Sequence, residues 1–338
     1  MTRKERMRRA LRREPVDRLP VQTNYTPLMG RSLREALGVD ASALGRRLDN
    51  HLLRVDVGHA PRLSDDGKVG FDWWGAGWDT GTEGYWNAVS PLAEARDLDR
   101  FAWPDPDAPG LLDLAAAAMA ADGGEHFVAP NFGMCLFERA WSLRGFTAFL
   151  MDLVEDPEWS TELLDRITDI QLRLARRFVA LGVDGGYLGD DYGAQRGMLF
   201  SPALWRRHFK PRLARLIVVF REAGLPVILH SDGDIWAILP DLAEIGLSCL
   251  NPVQPEVLEH RRLRREFGDR LSFYGGISTQ SVLPKGTPDD VRAATRACAA
   301  ELAPGGTGLI LGPSHRMQSD IPIENVLAML DAFPKDLP

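Results

Sequence analysis

Short apolar runs alternate with amphipathic segments along nearly the whole chain of 338 residues, and this alternation constrains the fold more than any other feature. Strands that alternate with helices predict a parallel sheet, and eight such units in a chain of this size predict an α/β fold of the (β/α)₈ TIM barrel type. An open doubly wound sheet is the main competitor, but no Gly-x-Gly-x-x-Gly follows the first run, which disfavours a dinucleotide-binding fold. The runs that we predict to be buried strands are residues 19–24, 52–59, 127–131, 185–191, 226–230, 247–251, 271–275 and 308–311.

The segments between these runs contain residues that typically begin and end helices. Pro157 and Gly182 bound a long predicted helix, because proline suits the first turn of a helix and glycine the position after its end. Ser201 and Gly224 bound a second predicted helix in the same way. Pro211 is expected to kink this second helix, because proline lacks the backbone donor that a helix interior uses.

An aromatic stretch interrupts the alternation after the second run. Residues 71–78 and 84–87 contain Trp73, Trp74, Trp78 and Trp86 and flank residues 79–83, which predicts an inserted aromatic hairpin. The hairpin could be a lid over the barrel mouth, with Trp74 among the rings offered to a flat substrate or cofactor. It could equally serve packing or a homodimer interface. With this insertion, residues 1–338 are expected to form one domain.

Composition excludes several classes of protein. The formal net charge of −7 argues against a nucleic-acid partner. No apolar run approaches the length of a membrane span, and the N-terminus lacks the apolar core of a signal peptide. The three cysteines show no paired spacing, which indicates a reducing compartment. We therefore expect a cytoplasmic protein that binds neither membranes nor nucleic acid.

Ligand-type side chains follow two of the predicted strands. His230 and Asp232 follow the fifth strand and, being two residues apart, point to the same side of an extended chain. His315 follows the eighth strand, and the carboxyl ends of barrel strands meet at one face. Two imidazoles and a carboxylate suit zinc or another divalent metal with an open coordination position. A metal-free acid/base pair of His230 and Asp232 is the alternative.

Further polar residues lie at the other predicted strand ends. Asp190 and Asp191 follow the fourth strand, where either could act as a general base, orient a metal-bound histidine or join the metal shell. The alternative is that each carboxylate caps the following loop. With His230, these two are the predicted catalytic residues. The convergence of polar side chains favours a small-molecule site, for which the predicted substrate contacts at or just beyond strand ends are Asn24, His59, Asn131, Tyr192, Asn251 and Gln254.

Short motifs in a fixed order give the chain a resemblance to a known family. It resembles the uroporphyrinogen decarboxylase superfamily and, within it, the cobalamin (corrinoid)-dependent methyltransferase-like branch. The resemblance implies a (β/α)₈ barrel and covers most of the chain. The matching stretches are residues 6–18, 72–75, 90–92, 189–193, 201–202, 230–233, 251–254 and 322–325.

The resemblance separates two branches of the superfamily. Decarboxylases carry an arginine-rich loop after the first strand that grips the carboxylates of a porphyrinogen. Here residues 24–31 hold a single arginine, Arg31, which could stand for one member of that loop and contact a substrate. A substrate with eight carboxylates would lack its main counter-charges, which argues against porphyrinogen decarboxylation.

The methyltransferase branch binds zinc through His-x-Cys and a distant cysteine, and this chain departs from that pattern. His230 matches the histidine, whereas Asp232 and His315 replace the two thiolates. A His/Asp/His shell carries one negative charge instead of two, which leaves bound Zn²⁺ formally at +1 and makes it a harder, stronger Lewis acid. Such a site suits an oxygen-methylated substrate better than a thiol.

Three hypotheses follow for the function. The first is a metal-dependent methyltransferase that moves a methyl group between a small oxygen-methylated molecule and a corrinoid, with Asp190 or Asp191 managing the proton. The chain has no corrinoid-binding motif, so the corrinoid would be carried by a partner protein. The second is a cofactor-free decarboxylase of a smaller acid that uses His230, Asp191 and Arg31. The third is a non-catalytic protein that binds a corrinoid or tetrapyrrole at the aromatic hairpin.

Overall fold

The computed structural model describes residues 1–60, 62–84 and 86–334, so Tyr85 of the predicted hairpin lies outside the described residues. Over these ranges there are thirteen strands: β1 (Leu52–Val55), β2 (Arg62–Leu63), β3 (Val69–Phe71), β4 (Gly77–Asp79), β5 (Asn87–Val89), β6 (Phe127–Phe132), β7 (Gly186–Gly189), β8 (Gly193–Ala194), β9 (Gly197–Met198), β10 (Val227–His230), β11 (Cys249–Val253), β12 (Ser272–Ile277) and β13 (Leu309–Pro313).

The same ranges contain fourteen α-helices and one 3₁₀ turn at Trp236–Ile238. None of these helices is long and apolar enough to cross a lipid bilayer. The helices are α1 (Arg3–Leu11), α2 (Pro27–Leu37), α3 (Ala41–Leu48), α4 (Asp113–Asp122), α5 (Phe137–Arg144), α6 (Phe146–Glu155), α7 (Pro157–Leu181), α8 (Pro202–His208), α9 (Lys210–Glu222), α10 (Leu239–Glu244), α11 (His260–Phe267), α12 (Val282–Lys285), α13 (Pro288–Leu302) and α14 (Ile323–Ala332).

Seven parallel strands form the barrel wall in the order β1-β6-β7-β10-β11-β12-β13. The predicted first strand, residues 19–24, closes the gap between β13 and β1 without forming a regular strand. Val21 bridges Leu311 in parallel, and the His51 N–H donates to the Val21 carbonyl at 3.1 Å. Side chains replace part of the ladder here, since the Thr23 N–H donates to Oδ1 of Asn50 at 2.7 Å. The barrel prediction is confirmed, with this correction to its first strand.

The amino-terminal end of the barrel is closed by α1. Alternate residues of a strand face one side of a sheet, so every second wall residue points into the barrel. Met7 and Leu11 of α1 pack against these inward residues. The plug leaves the carboxyl ends of the strands as the open face. The inward residues in this cluster are Leu52, Phe127, Ala129, Tyr187, Ile228, Cys249, Tyr274 and Ile310.

Of the two predicted helices, one is confirmed and the other is divided into two. The helix expected after Pro157 is confirmed as α7, and Gly182 follows it in the left-handed conformation with φ of 92°. The helix expected between Ser201 and Gly224 is divided into α8 and α9 at Phe209. Pro211 lies in the first turn of α9, where its missing N–H costs no helical hydrogen bond.

The inserted hairpin is present and is larger than predicted. Strands β2, β3, β4 and β5 form a separate antiparallel sheet between β1 and α4. Its Trp74 is only 5% exposed and lies under the guanidinium of Arg139, 5.1 Å from the ring centroid. The Trp78 ring meets Trp141 of α5 edge-on. The expectation that Trp74 offers its ring to a substrate is therefore wrong, because that ring is used for packing.

Replacing Leu11 tests whether packing of α1 into the barrel end stabilises the fold. Leu11 is 1% exposed, so Leu11→Ala should lower the free energy of unfolding by about 2–5 kcal/mol through lost burial and a residual cavity. Leu114, a helical leucine that is 67% exposed, provides the matched control, and Leu114→Ala should change stability little. Urea denaturation of both variants measures the difference. Equal losses of unfolding free energy in the two variants would contradict the conclusion that α1 closes the barrel.

Candidate metal centre

The carboxyl ends of β10 and β13 bring together His230, Asp232 and His315, with one ligand atom from each lying within 4.8 Å of the others. Nε2 of His230 is 3.8 Å from Oδ1 of Asp232, and Nε2 of His315 is 3.5 Å from Oδ2 of the same carboxylate. Ligands bound at about 2.1 Å to a tetrahedral zinc lie roughly 3.4 Å apart. Small side-chain movements would therefore make this group a three-ligand metal site.

A tight turn after β10 positions the Asp232 side chain next to His230. Gly233 has φ of 82°, and an added Cβ there would lie 2.4 Å from the carbonyl carbon of Gly193. Only glycine accepts that backbone conformation and that close approach without strain. The turn after β10 is thus fixed against the loop that contains β8, and Asp232 is held next to His230.

Asn251 determines which nitrogen of His230 is free. In the neighbouring strand β11, the side-chain amide of Asn251 donates to the Tyr274 carbonyl at 3.3 Å, which turns its Oδ1 toward His230. This oxygen only accepts, so the Nδ1–H of His230 donates to it at 2.8 Å. Tyr187 also donates to this oxygen, at 2.7 Å. Nε2 of His230 is therefore the ring nitrogen that faces Asp232. Asn251 was predicted to contact substrate, and the structure instead places it behind the histidine.

Asp191 lies beside the candidate metal ligands His230 and Asp232. Its Oδ1 accepts the Asp232 N–H at 2.8 Å and is 3.8 Å from Nε2 of His230. Burial and the neighbouring Asp232 raise the pKa of Asp191, while His230 acts in the opposite direction. At His315 burial lowers the pKa against the attraction of Asp232, which favours the neutral imidazole that binds metals. Asp191 remains a candidate proton carrier at the site.

Asp190 has a structural position, which corrects its predicted catalytic role. The side chain is fully buried and accepts the N–H groups of Phe137 at 2.9 Å and Glu138 at 2.8 Å, at the start of α5. The Leu136 N–H, at 3.2 Å, and the Tyr192 hydroxyl, at 2.6 Å, also donate to it. Burial outweighs these hydrogen bonds and raises the pKa of Asp190 to about 6. The carboxylate anchors α5 to the barrel.

Tyr192 shares this internal position. Its ring is fully buried, and its hydroxyl donates a hydrogen bond to Asp190. The side chain therefore cannot reach a substrate at the barrel mouth. The predicted substrate contact is therefore wrong. The rings that pack around Tyr192 are those of Phe137, Phe200, Trp205 and Phe209.

Glu138 is a candidate functional residue that strand-end reasoning missed. It lies in the first turn of α5, directly after the residues whose N–H groups bind Asp190. Burial and the nearby Asp191, Asp190 and Asp232 carboxylates raise its pKa well above the usual range. Glu138 comes from a helix and reaches the site only because Asp190 anchors α5 there. No pattern at a strand end could identify it.

The remaining predicted contacts have other roles or surroundings. Asn24 donates to the Tyr274 hydroxyl at 2.8 Å and so braces the barrel wall. Asn131 donates to Oδ1 of Asp56 at 2.9 Å. Gln254 lines a cavity beside Asp232 and remains a predicted substrate contact. Two further predicted contacts, with solvent-exposed side chains, lie on α2 and in the loop after β1: Arg31 and His59.

The tip of the inserted sheet reaches the barrel mouth through Glu83. One oxygen of Glu83 accepts the Ser319 hydroxyl at 2.6 Å, and the other accepts the hydroxyl of Thr26. Ser319 lies between Gln318 and Asp320, which both line the cavity beside His315. The insertion therefore supports the cavity wall through a carboxylate, in addition to packing its tryptophans against α5.

Removing the Asp190 carboxylate distinguishes an anchor from a catalyst. Asp190→Ala should lower the free energy of unfolding by at least about 3 kcal/mol, because several buried donors lose their acceptor. Asp40, an exposed cap of α3 that accepts the Ala43 N–H, is the matched control, and Asp40→Ala should cost about 1 kcal/mol. Thermal and denaturant unfolding measure both. A full-stability Asp190→Ala variant would contradict the anchoring role.

Comparison with known proteins agrees with this architecture. A methyltransferase structure from Methanosarcina mazei superposes with a TM-score of 0.74 at 21% identity and covers 98% of each chain. A methylated-thiol–coenzyme M methyltransferase of the same organism is 27% identical over 177 residues, 52% of this chain. The chain spans less than half of that relative's length, 45%.

The decarboxylase branch matches over a longer stretch. The uroporphyrinogen decarboxylase of Syntrophotalea carbinolica is 25% identical over 248 residues, which are 71% of this chain and 69% of that protein. The family model described as uroporphyrinogen decarboxylase (URO-D) matches residues 89–335. Because that match extends over well more than half of the sequence, the chain belongs to the uroporphyrinogen decarboxylase (URO-D) family.

Proposed function

We propose that this protein is a metal-dependent methyltransferase that moves a methyl group between a small oxygen-methylated molecule and a corrinoid carried by a partner protein. The observation that carries the proposal is the convergence of His230, Asp232 and His315 at the open end of the barrel. The hydrogen bond from His230 to Asn251 supports it further, because it leaves the ligand nitrogen of His230 facing the site. The likeness to a methylated-thiol–coenzyme M methyltransferase is consistent with methyl transfer.

The donor set determines which metal and which chemistry fit. Two neutral imidazoles and one carboxylate suit zinc or another divalent transition metal and leave a coordination position for substrate. A divalent cation held there supplies Lewis acidity toward an oxygen of the substrate. The set carries one negative charge, so the bound cation keeps more of its positive charge than it would beside two thiolates. This favours an ether or alcohol oxygen over a thiol.

The surrounding side chains orient the ligands and handle the proton. Asn251 holds the His230 ring, and the Gly233 turn holds Asp232. When the methyl group leaves an ether, the remaining oxygen needs a proton, and we assign that proton to the carboxyl group of Asp191. Asp191 lies 3.8 Å from Nε2 of His230, at the edge of the metal group. Glu138 brings a further carboxyl group near Asp191, since the Asp191 charge helps to raise the pKa of Glu138.

Metal binding is the first test. Tag-free protein should bind one zinc ion, and His230→Ala, Asp232→Ala and His315→Ala should each weaken zinc affinity at least about 100-fold, because each removes one of three ligands. His59→Ala is the matched control and should bind zinc like the parent protein, since His59 is exposed outside the group. Competition with a chromophoric chelator measures these affinities. Unchanged zinc affinity in the three ligand variants would rule out the site.

The second test concerns the hydrogen bond by which Asn251 orients the His230 ring. Asn251→Ala should weaken zinc binding about 10- to 100-fold, the usual effect of removing a partner that orients a metal-bound histidine. Asn131→Ala is the matched control, because Asn131 is also an asparagine of a barrel strand but donates its hydrogen bond to Asp56. Equal zinc affinities of the two variants would contradict the orienting role.

Methyl transfer itself is tested with free cob(I)alamin as acceptor and methyl ethers as donors. Zinc-loaded protein should form methylcobalamin, detected by its visible spectrum, and exhaustive chelation should abolish the reaction. Release of CO₂ from small acids that survives chelation would instead support the decarboxylase hypothesis. Spectral binding of cobalamin or a porphyrin without any turnover would support the non-catalytic hypothesis.

A further inference from the structure

A cavity of about 300 Å³ opens beside Asp232 and His315 at the carboxyl end of the barrel. Its walls consist mainly of hydrogen-bonding side chains. Among the described residues that line it, Ile321 is the one aliphatic side chain, and none is a phenylalanine, tyrosine or tryptophan. The carboxamides and hydroxyls on its walls are those of Gln195, Gln254, Gln280, Gln318, Thr279 and Ser314.

Two hydrogen bonds fix one wall of this cavity. Oε1 of the buried Gln254 accepts the Gly233 N–H at 3.2 Å, and its Nε2 donates to Oε1 of Gln195 at 3.0 Å. Because the oxygen of Gln195 is used in this way, Gln195 offers its amide N–H groups to a ligand. These donors are oriented before any ligand arrives, which lowers the entropic cost of binding.

A third hydrogen bond joins two strand ends that also line the cavity. The Thr279 N–H, just beyond β12, donates to Oγ of Ser314 at 3.2 Å, just beyond β13. Ser314 is buried, so its hydroxyl is held in place. Donors and acceptors therefore face the cavity from several elements, on the side where Asp232 and His315 would hold a metal.

This lining disfavours two chemical classes of methyl donor. Methoxyarenes gain affinity from aromatic or aliphatic walls, and methylated ammonium groups gain it from aromatic faces. Both would cover the carboxamides without replacing their hydrogen bonds to water, which costs binding free energy. A ligand with its own hydroxyl or carboxyl groups satisfies these walls. The volume lies at the small end of the range for ligand sites, about 300–1,000 Å³.

We infer that the methyl donor is a small hydrophilic methyl ether, such as the methyl ether of a polyol or of a short hydroxy acid. Its ether oxygen faces the group formed by His230, Asp232 and His315, and its other oxygens bond to Gln195 and the neighbouring cavity walls. This inference rests on the proposed methyltransferase function and specifies its substrate class. It replaces the expectation of a flat substrate stacked on the tryptophans, of which Trp74 is buried.

Direct binding to zinc-loaded protein tests the substrate class independently of turnover. The probes are methoxyacetate, 3-O-methylglucose, 4-methoxybenzoate and glycine betaine, with affinities measured by ligand-observed NMR. At least one of the two hydrophilic ethers should bind ten times or more tighter than 4-methoxybenzoate and glycine betaine. Gln195→Leu should weaken that ether's binding about tenfold and leave zinc affinity unchanged, because Gln195 is exposed and not a ligand. Binding of 4-methoxybenzoate should not weaken in this variant.

The outcomes separate the substrate class from the function. Tighter binding of 4-methoxybenzoate or glycine betaine, or no binding of either hydrophilic ether, would overturn the inference. Formation of methylcobalamin from 4-methoxybenzoate alone would also overturn it while supporting methyl transfer. Binding of a hydrophilic ether that weakens in Gln195→Leu, without methyl transfer to cob(I)alamin, would support the cavity's ligand class and contradict the proposed function.

Discussion

The parallel pairing of β10 with its two neighbours is the constraint on which the site depends. It places His230 level with Gly189 of β7 and Asn251 of β11. The asparagine orients the imidazole by accepting a hydrogen bond from its Nδ1–H. A shift of one residue would turn His230 away from the barrel interior and break its hydrogen bond to Asn251. The barrel wall, closed by residues 19–24 and plugged by α1, keeps that pairing in place.

Carboxylate and imidazole groups give the candidate metal site its chemical character. Asp232 lies between His230 and His315, with one carboxylate oxygen 3.8 Å from Nε2 of His230 and the other 3.5 Å from Nε2 of His315. Asp191 and Glu138 add carboxyl groups at the edge of the group, and burial raises the pKa of each. Because carboxyl groups crowd one end of the barrel, a bound cation and retained protons would both relieve their repulsion. The oxygen-methyl chemistry that we propose rests on that charge balance.

The sequence predicted well what depends on periodicity and on strand ends. Apolar runs and helix boundaries were sufficient to predict the barrel, and the ligand pattern at two strand ends predicted that His230, Asp232 and His315 converge. Roles that depend on side-chain direction could not be predicted. Asp190 and Asp191 are adjacent in the sequence, but Asp190 anchors α5 whereas Asp191 lies beside the candidate metal ligand His230. Asn251, Tyr192 and Trp74 are used for orientation or packing, and Glu138 comes from a helix. Only the tertiary structure distinguishes these cases.

X-ray absorption spectroscopy at the zinc edge tests the central claim most directly. Tag-free protein loaded with one equivalent of zinc should show a first shell of nitrogen and oxygen scatterers, outer-shell features of two imidazoles and no sulfur. All three cysteines are buried and lie outside the ligand group, so thiolate ligation is not expected. A sulfur scatterer at the distance typical of zinc–thiolate bonds, about 2.3 Å, or a shell without imidazole, would contradict the account.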